Sequence, residues 1–256
     1  MNQFTAFIRK EFMELTRTGK LFILTVLFVL SGIMNPALAK LTPWMMEIMS
    51  EDFAETGFTI TSVKVDALTS WSQFYKNIPI VLIVFLLLYS NTLTLEYQKG
   101  TLINLITKGM KRWKIIVSKA VSISLLWTAG YWLCFGITYG YNAYFWDNRI
   151  ASHLFFSGFC FYLSGFWLIS LLLLLSVFFR TNSAVIISSG GTFLTFYLLG
   201  LLPGIKKYLP VYLTGASGLL TGSGEISGYI PAILITLILS AGNIAAAIIC
   251  FNKSSI

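Results

Sequence analysis

Apolar residues occur in six long runs, separated by stretches where charge and glycine collect. The runs cover about Leu21–Leu41, Ile78–Leu95, Ile115–Tyr141, His153–Phe179, Ala184–Leu202 and Tyr229–Phe251. A bilayer core of about 30 Å takes roughly 20 apolar residues as helix. Barrel strands would be about ten residues long with alternating polarity, so these lengths predict helices. Ahead of the first run, Phe4, Phe7, Ile8, Phe12 and Leu15 recur at helical spacing. Arg9, Lys10, Glu14 and Arg17 occupy the other side. A short basic amphipathic helix before a span is expected to lie in the membrane interface. The chain thus divides into an interfacial helix, residues 1–20, and a six-span transmembrane domain, residues 21–256. The opening residues are too polar for a signal peptide, and no cleavage site of small residues follows the first span. The expected fold is all-α and integral to the membrane.

Composition agrees. Of 256 residues, 56% are hydrophobic and 11% charged, whereas a soluble domain carries about 25% charged residues. A soluble enzyme, a disordered chain and a disulfide scaffold are excluded. The net charge of +8 would suggest a nucleic-acid partner in a soluble protein; in a membrane protein it sets orientation instead. With the N-terminus inside, Arg9, Lys10, Arg17, Lys20, Lys99, Lys108, Lys111, Arg112, Lys114, Lys119, Arg180 and Lys253 are cytoplasmic. Lys40, Lys64, Lys76, Arg149, Lys206 and Lys207 are external. The imbalance predicts a multi-pass protein of the cell membrane with both termini in the cytoplasm. Cys134, Cys160 and Cys250 sit singly in apolar runs and read as small hydrophobes. His153 has no cluster of ligands around it, so no metal site is expected.

The connections are unequal. Thr42–Asn77 reads as a long acidic external loop, with Met45–Phe53 a candidate short helix. Pro203–Gly228 is glycine-rich, and its apolar middle, Val211–Leu220, is too short to cross; a re-entrant or interface-lying segment is expected. Polar side chains inside spans face protein or water, because lipid cannot satisfy them. Asn91 and Thr94 close the second run, and either a polar path or a helix–helix hydrogen bond accounts for them. Ser188 and Thr192, beside Gly190 and Gly191, suggest close span packing first and cavity lining second. Asn35-Pro36 reads as a kink. Gly242-Asn243 reads as a packing face. Trp44, Trp71, Trp113 and Trp146 fall near predicted interfaces and read as belts.

The stretch Glu96–Trp113 carries the most information. Gly100-Thr101 can end one helix and cap the next, since Gly allows the turn and Thr can accept from freed N–H groups. Thr101–Lys108 is then about two turns, with Leu102, Leu105 and Ile106 as its apolar face. A helix this short is marginal alone in water, so it needs something to pack on, and a cytoplasmic partner is the natural candidate.

Here the chain resembles the permease family of type-2 ABC exporters. In that family an acidic residue, Gly-Thr and a leucine-rich short helix follow span two, and an arginine and a lysine lead into span three. The matching residues are Glu96, Gly100, Thr101, Leu102, Leu105, Arg112 and Lys119. Gly109 stands where the family usually has proline. Lys10-Glu11-Phe12 resembles the family's connecting helix. The resemblance implies a coupling helix for an ATP-binding-cassette subunit, formed by Glu96, Gly100, Thr101, Leu102, Leu105, Ile106 and Arg112. It implies a second permease half, as homo- or heterodimer, within membrane lipid. The chain has no P-loop of the GxxxxGK[ST] form, so no cofactor is expected in it and the partner would bind ATP and Mg. A cavity at the dimer interface, mainly from spans two and five, is implied, with Asn91, Thr94, Ser188 and Thr192 as candidate lining. The implied function is export of a hydrophobic or amphipathic cargo such as a peptide, toxin, drug or lipid. Two other readings stand beside it. One is a non-transporting sensor or scaffold subunit of an ABC complex. The other is an intramembrane enzyme, disfavoured because no carboxylate lies well inside a span.

Overall fold

The computed structural model describes residues 3–54, 65–107 and 109–253, with the side chains of 7–48, 65–103, 106–107 and 109–253. Among the described residues there is no strand. In chain order the helices are α1 (Gln3–Arg17), α2 (Lys20–Ala54), α3 (Ala67–Tyr89), α4 (Thr94–Gln98), α5 (Thr101–Thr107), α6 (Arg112–Phe145), α7 (Leu154–Phe178), α8 (Asn182–Leu199) and α9 (Ile230–Lys253). Six are long and apolar enough to cross a membrane: α2, α3 continuing into α4, α6, α7, α8 and α9. Phe7 of α1 and Phe251 of α9 share an apolar cluster with Leu102 and Ile115, so both chain ends meet at one end of the bundle.

Of the expected loop Thr42–Asn77, the described residues 42–54 and 67–77 are helix. Leu41, Trp44, Met45 and Ile48 continue the helical spacing on the outer side of α2, and the helix carries through Pro43. On the far side, Asp66 caps α3: its carboxylate accepts from the backbone N–H of Thr69 at 3.0 Å. Ala67, Ser70, Trp71 and Phe74 then bury at helical spacing, before the second long apolar run begins at Ile78. Asp66 is the signal that should have placed this helix start.

Pro36 lies inside α2 and has no N–H to offer the carbonyl one turn back, that of Gly32. In hydrocarbon that carbonyl must find another donor. The hydroxyl of Thr138, on α6, donates to it at 3.0 Å. Asn35 donates to the Thr138 oxygen at 3.3 Å and accepts from Asn77 of α3 at 2.9 Å. One missing backbone bond has become a polar clasp across α2, α3 and α6. Next to it, a Cβ on Gly32 would stand 2.9 Å from the Cβ of Ile137, so α2 and α6 are in close contact here.

Aromatic rings fill the rest of the centre. Phe28, Phe85 and Trp127 form a tilted group with centroids 5.5–6.3 Å apart. The Phe28 ring sits over Gly130 and the Trp127 ring over Gly165, each where a Cβ would collide. Trp71 differs from its expected place in an interfacial belt. It is fully buried against Phe74 and Phe135, and its indole N–H donates to Asn148 at 3.0 Å. Trp44 and Trp113 do face outward.

The glycine-rich connection folds as 3-10 helix over Pro210–Thr221 and lies against α7. Ser157 of α7 donates to the Ala216 carbonyl at 2.8 Å, and the Ser152 N–H to that of Leu220 at 3.0 Å. α7 is the most enclosed span, 67% buried over its apolar window, whereas α8 is only 11% buried. Gly190, Gly191 and Gly242 touch nothing within 4 Å of a would-be Cβ. The close packing expected of span five within the chain is therefore absent.

The clasp makes a testable claim. Thr138→Val should lower stability by about 0.6–2 kcal/mol, read as an earlier thermal transition in detergent. In a Pro36→Ala background, residue 36 regains its N–H and serves Gly32 itself, so the same Thr138→Val change should cost clearly less.

Candidate functional site

α3 ends at Tyr89, where the Ser90 hydroxyl turns back to the Leu87 carbonyl at 2.7 Å. After the turn 90–93, the short α4 places Glu96 inward, 7% exposed. Gly100 then takes φ +64, a left-handed turn that suits glycine, and reverses the chain into α5. At the other end of α5, Gly109 takes φ +81 and its N–H donates to the Ile106 carbonyl at 2.9 Å. This is a glycine C-cap, and it does the work of the proline turn. The Thr101 hydroxyl, expected to cap α5, donates instead to the Glu96 carbonyl at 3.4 Å. It ties α5 back to α4.

Lys119, on α6, is 2% exposed and would be intolerable there without partners. Its ammonium lies 3.3 Å from Glu11 of α1 and 3.2 Å from Glu96, and donates to the Thr92 carbonyl at 3.1 Å. Lys10 closes the network from outside, 3.1 Å from Glu96, 3.7 Å from Glu11 and 3.6 Å from Glu14. Glu96 therefore joins three elements: it sits on α4 and grips α1 through Lys10 and α6 through Lys119. Its second oxygen, Oε2, is buried with no hydrogen-bond partner. Burial pulls the Lys10 ammonium below its ordinary pKa of 10.5, but Glu96, Glu11 and Glu14 more than reverse this and hold it above. A raised lysine pKa contributes stability that is full below 10.5 and fades only as pH rises through the folded value. Across neutral pH, Lys10 keeps the joint closed.

Arg112 belongs to the same end. It donates to the carbonyls of Phe251 and Asn252 at 3.5 and 3.2 Å, tying the start of α6 to the end of α9. Leu102 departs from expectation. It is fully buried within this chain, beside Phe7, Leu93, Ile115 and Phe251, and Ile106 packs against the same cluster. The chain's own apolar wall is nearer than any partner, so these two side chains are already used. Among the described apolar side chains of α5, Ile103 is the one turned outward, 51% exposed. The side chain of Leu105, and Lys108, lie outside the described residues.

A cavity of about 530 Å³ opens between α3, α7 and α8, closed at one end by Thr214 of the 3-10 segment. Tyr75, Pro79, Leu82, Phe161, Leu168, Phe193 and Tyr197 supply much of its wall. None of Asn91, Thr94, Ser188 and Thr192 lines it. Asn91 accepts from Lys20 at 2.9 Å and borders a smaller polar pocket of about 100 Å³ beside Glu11, Glu96 and Lys119. Thr94 is buried at the head of α4. The Ser188 carbonyl accepts from the Thr192 hydroxyl at 2.8 Å along α8. Their neighbours Ser189 and Gly190 are the ones that face the cavity.

The bundle thus has a second span that breaks into a short reversed helix, tied by ion pairs to the N-terminal helix. Residues 5–206 match the family described as ABC-2 family transporter protein. The chain belongs to that family. Comparison with curated proteins gives no match. As an ABC-2 permease it is a membrane subunit of a transporter. The charged joint then sits where that family's resemblance put Glu96 and Lys119, but two of its members, Lys10 and Glu11, were not expected as site residues. Glu11 was findable: it lies four residues from both Phe7 and Leu15, on the buried side of α1. A carboxylate on an apolar stripe demands a cation. The cavity wall had no such signal.

Removing Lys119 should leave Glu11 and Glu96 without their buried cation, with only the half-exposed Lys10 beside them. Lys119→Met is expected to cost about 3–5 kcal/mol. Lys10→Met, whose side chain is 40% exposed, should cost less than about 1 kcal/mol. Thermal unfolding of the two purified variants checks the ranking.

Proposed function

We propose that this chain is the permease half of an ABC exporter, moving a hydrophobic or amphipathic cargo outward across the cell membrane. ATP and Mg are bound by a separate ATP-binding subunit, which docks at α4–α5. Two permease chains, identical or not, complete the transporter. The exposed, poorly buried α8 and the open faces of Gly190, Gly191 and Gly242 supply close-contact surface for the second copy. Both termini and the α4–α5 elbow face the cytoplasm, in keeping with the excess of Lys and Arg at that end.

The observation that carries this reading is the double grip of Glu96. A force on the elbow reaches α1 through Lys10 and α6 through Lys119, over distances of 3.1 and 3.2 Å. No flexible linker stands between. The apolar cluster around Leu102 stiffens the same region, so the elbow moves as a block with the ends of α6 and α9. Docking then falls to the outward face of α5, where Ile103 projects, and not to Leu102.

Ile103→Asp should abolish co-purification of the ATP-binding subunit while leaving membrane insertion intact. Glu96→Gln should keep docking but lower cargo-stimulated ATP hydrolysis by about tenfold or more, because it loosens the transmission and not the contact. Cysteines placed at Lys99 and Asp147, after the three native cysteines are replaced, report orientation. An impermeant thiol reagent on intact cells should label only the second. Labelling at Lys99 alone would overturn both the topology and the docking assignment.

A further inference from the structure

At the end of the bundle that holds both termini, several cations are answered inside the chain. Lys10 and Lys119 pair with carboxylates, Lys20 donates to Asn91, and Arg180 lies over the Tyr97 ring at 5.9 Å. Lys111, Lys114 and Lys253 have no ion-pair partner among the described residues. These three belong to one corner. Lys111 and Lys114 flank Arg112 and Trp113 at the start of α6, and Lys253 follows Asn252, whose carbonyl accepts from Arg112 at 3.2 Å. α6 has no acidic residue in its first turn and no side-chain cap at Lys111, so its positive pole adds to the lysines. Arg112 already serves the last carbonyls of α9, so the negative pole of that helix does not depend on Lys253. Like charges held together without a counter-charge repel one another, and the chain supplies none here. The corner also lies at a membrane boundary. Arg112 and Lys253 each end a candidate span. Trp113 is 41% exposed, and Ile249, one turn before Lys253, is 55% exposed. An exposed indole among cations at the foot of two spans is suited to headgroup level.

We propose that this corner, where α6 begins and α9 ends, binds the headgroup of an anionic phospholipid. The phosphate takes its place among the three ammonium groups, Trp113 packs at the level of the glycerol backbone, and an acyl chain runs past Ile249. Each lysine near a membrane surface adds to the attraction for anionic lipid. A choline headgroup brings its own cation and gains far less. The reading differs from a topological anchor in what it demands. Positive charge that sets orientation acts from any position on this end of the bundle, whereas a headgroup site needs these three lysines together. It goes beyond the exporter reading and does not rest on it: the face proposed for the ATP-binding subunit is on α5, around Ile103.

The test uses the purified full chain in phosphatidylcholine nanodiscs, without the ATP-binding subunit, so failure of the transport reading leaves it unaffected. The probe is phosphatidylglycerol carrying a diazirine close to its headgroup, with cross-linked residues mapped by mass spectrometry. Saturable cross-links should concentrate on residues 111–114 and 249–253. Unlabelled phosphatidylglycerol should compete, while added phosphatidylcholine and inorganic phosphate should not. The triple change Lys111→Gln, Lys114→Gln and Lys253→Gln should weaken saturable cross-linking about tenfold or more. All three side chains are at least partly exposed, so the variant keeps its fold. The control is Arg9→Gln, Arg17→Gln and Lys99→Gln. It removes the same charge from exposed residues that also lack an ion-pair partner at this end, and should weaken cross-linking less than about twofold. Equal loss in the two triple variants would reduce the effect to general attraction between a basic protein and an anionic bilayer, and would overturn the proposal. So would competition by phosphatidylcholine or by phosphate. Unchanged cross-linking in the lysine variant, together with loss of the co-purified ATP-binding subunit, would overturn it as well and assign the corner to that subunit.

Discussion

Hydrocarbon offers no hydrogen-bond partner, so every polar group that enters a span must be answered by the chain itself. Much of this structure follows from that constraint. Pro36 deprives the Gly32 carbonyl of its donor, and Thr138 of α6 supplies one. Lys119 carries a full charge into a nearly closed site, and Glu11 and Glu96 converge on it from two other helices. In each case a local deficit on one span is made good by another. The deficits thereby become the cross-links that fix how α1, α2, α3, α4 and α6 sit together. Apolar contacts alone would not choose one register so firmly, since lipid is as good a neighbour as leucine.

The two kinds of cross-link differ in what they can do. The Thr138 clasp involves neutral groups of modest energy, lies beside the close approach of Gly32 to Ile137, and reads as structural. The Glu96 joint involves charges that can exchange partners. Lys10 is already shared among Glu96, Glu11 and Glu14 at 3.1–3.7 Å, and Oε2 of Glu96 is buried without a hydrogen-bond partner. A set of charges with more acceptors than one lysine can fill is suited to re-pairing as helices shift. Its position, at the elbow where the second span breaks, puts that capacity at the point of proposed ATP-driven force.

What was legible beforehand follows from what each signal depends on. The six spans were readable because crossing a bilayer needs long apolar runs whatever the packing. Glycines at 100 and 109 announced both turns around α5, since left-handed backbone is a local property. The extension of α2 past Leu41 was read as loop, or as a separate short helix over Met45–Phe53, because the apolar run ends at Leu41 and charge begins. The burial of Leu102 was missed for a different reason: an apolar helical face declares that it needs cover, not whose. Trp71 makes the same point in reverse. Its indole looked interfacial, yet a single acceptor, Asn148, allows it to sit wholly inside. The cavity lies between three helices distant in sequence, so no single stretch announced it.

These elements divide the molecule mechanically. At the end holding both termini, α1, α4, α5, α6 and α9 are joined by ion pairs, by Arg112 on the last carbonyls of α9, and by one apolar cluster. α8 is held by far less: its apolar window is 11% buried, and a Cβ on Gly190 or Gly191 would meet nothing within 4 Å. The cavity lies between α8 on one side and α3 and α7 on the other. On the proposed mechanism, displacing the elbow would carry α3 along, through α4, while the lightly held α8 could lag or follow a second copy. The volume of the cavity is set by the gap between those two helices. On that mechanism a small movement at Glu96 would change the space between α3, α7 and α8 without any bond between the two places, because α3 continues into the joint through α4 and α8 does not.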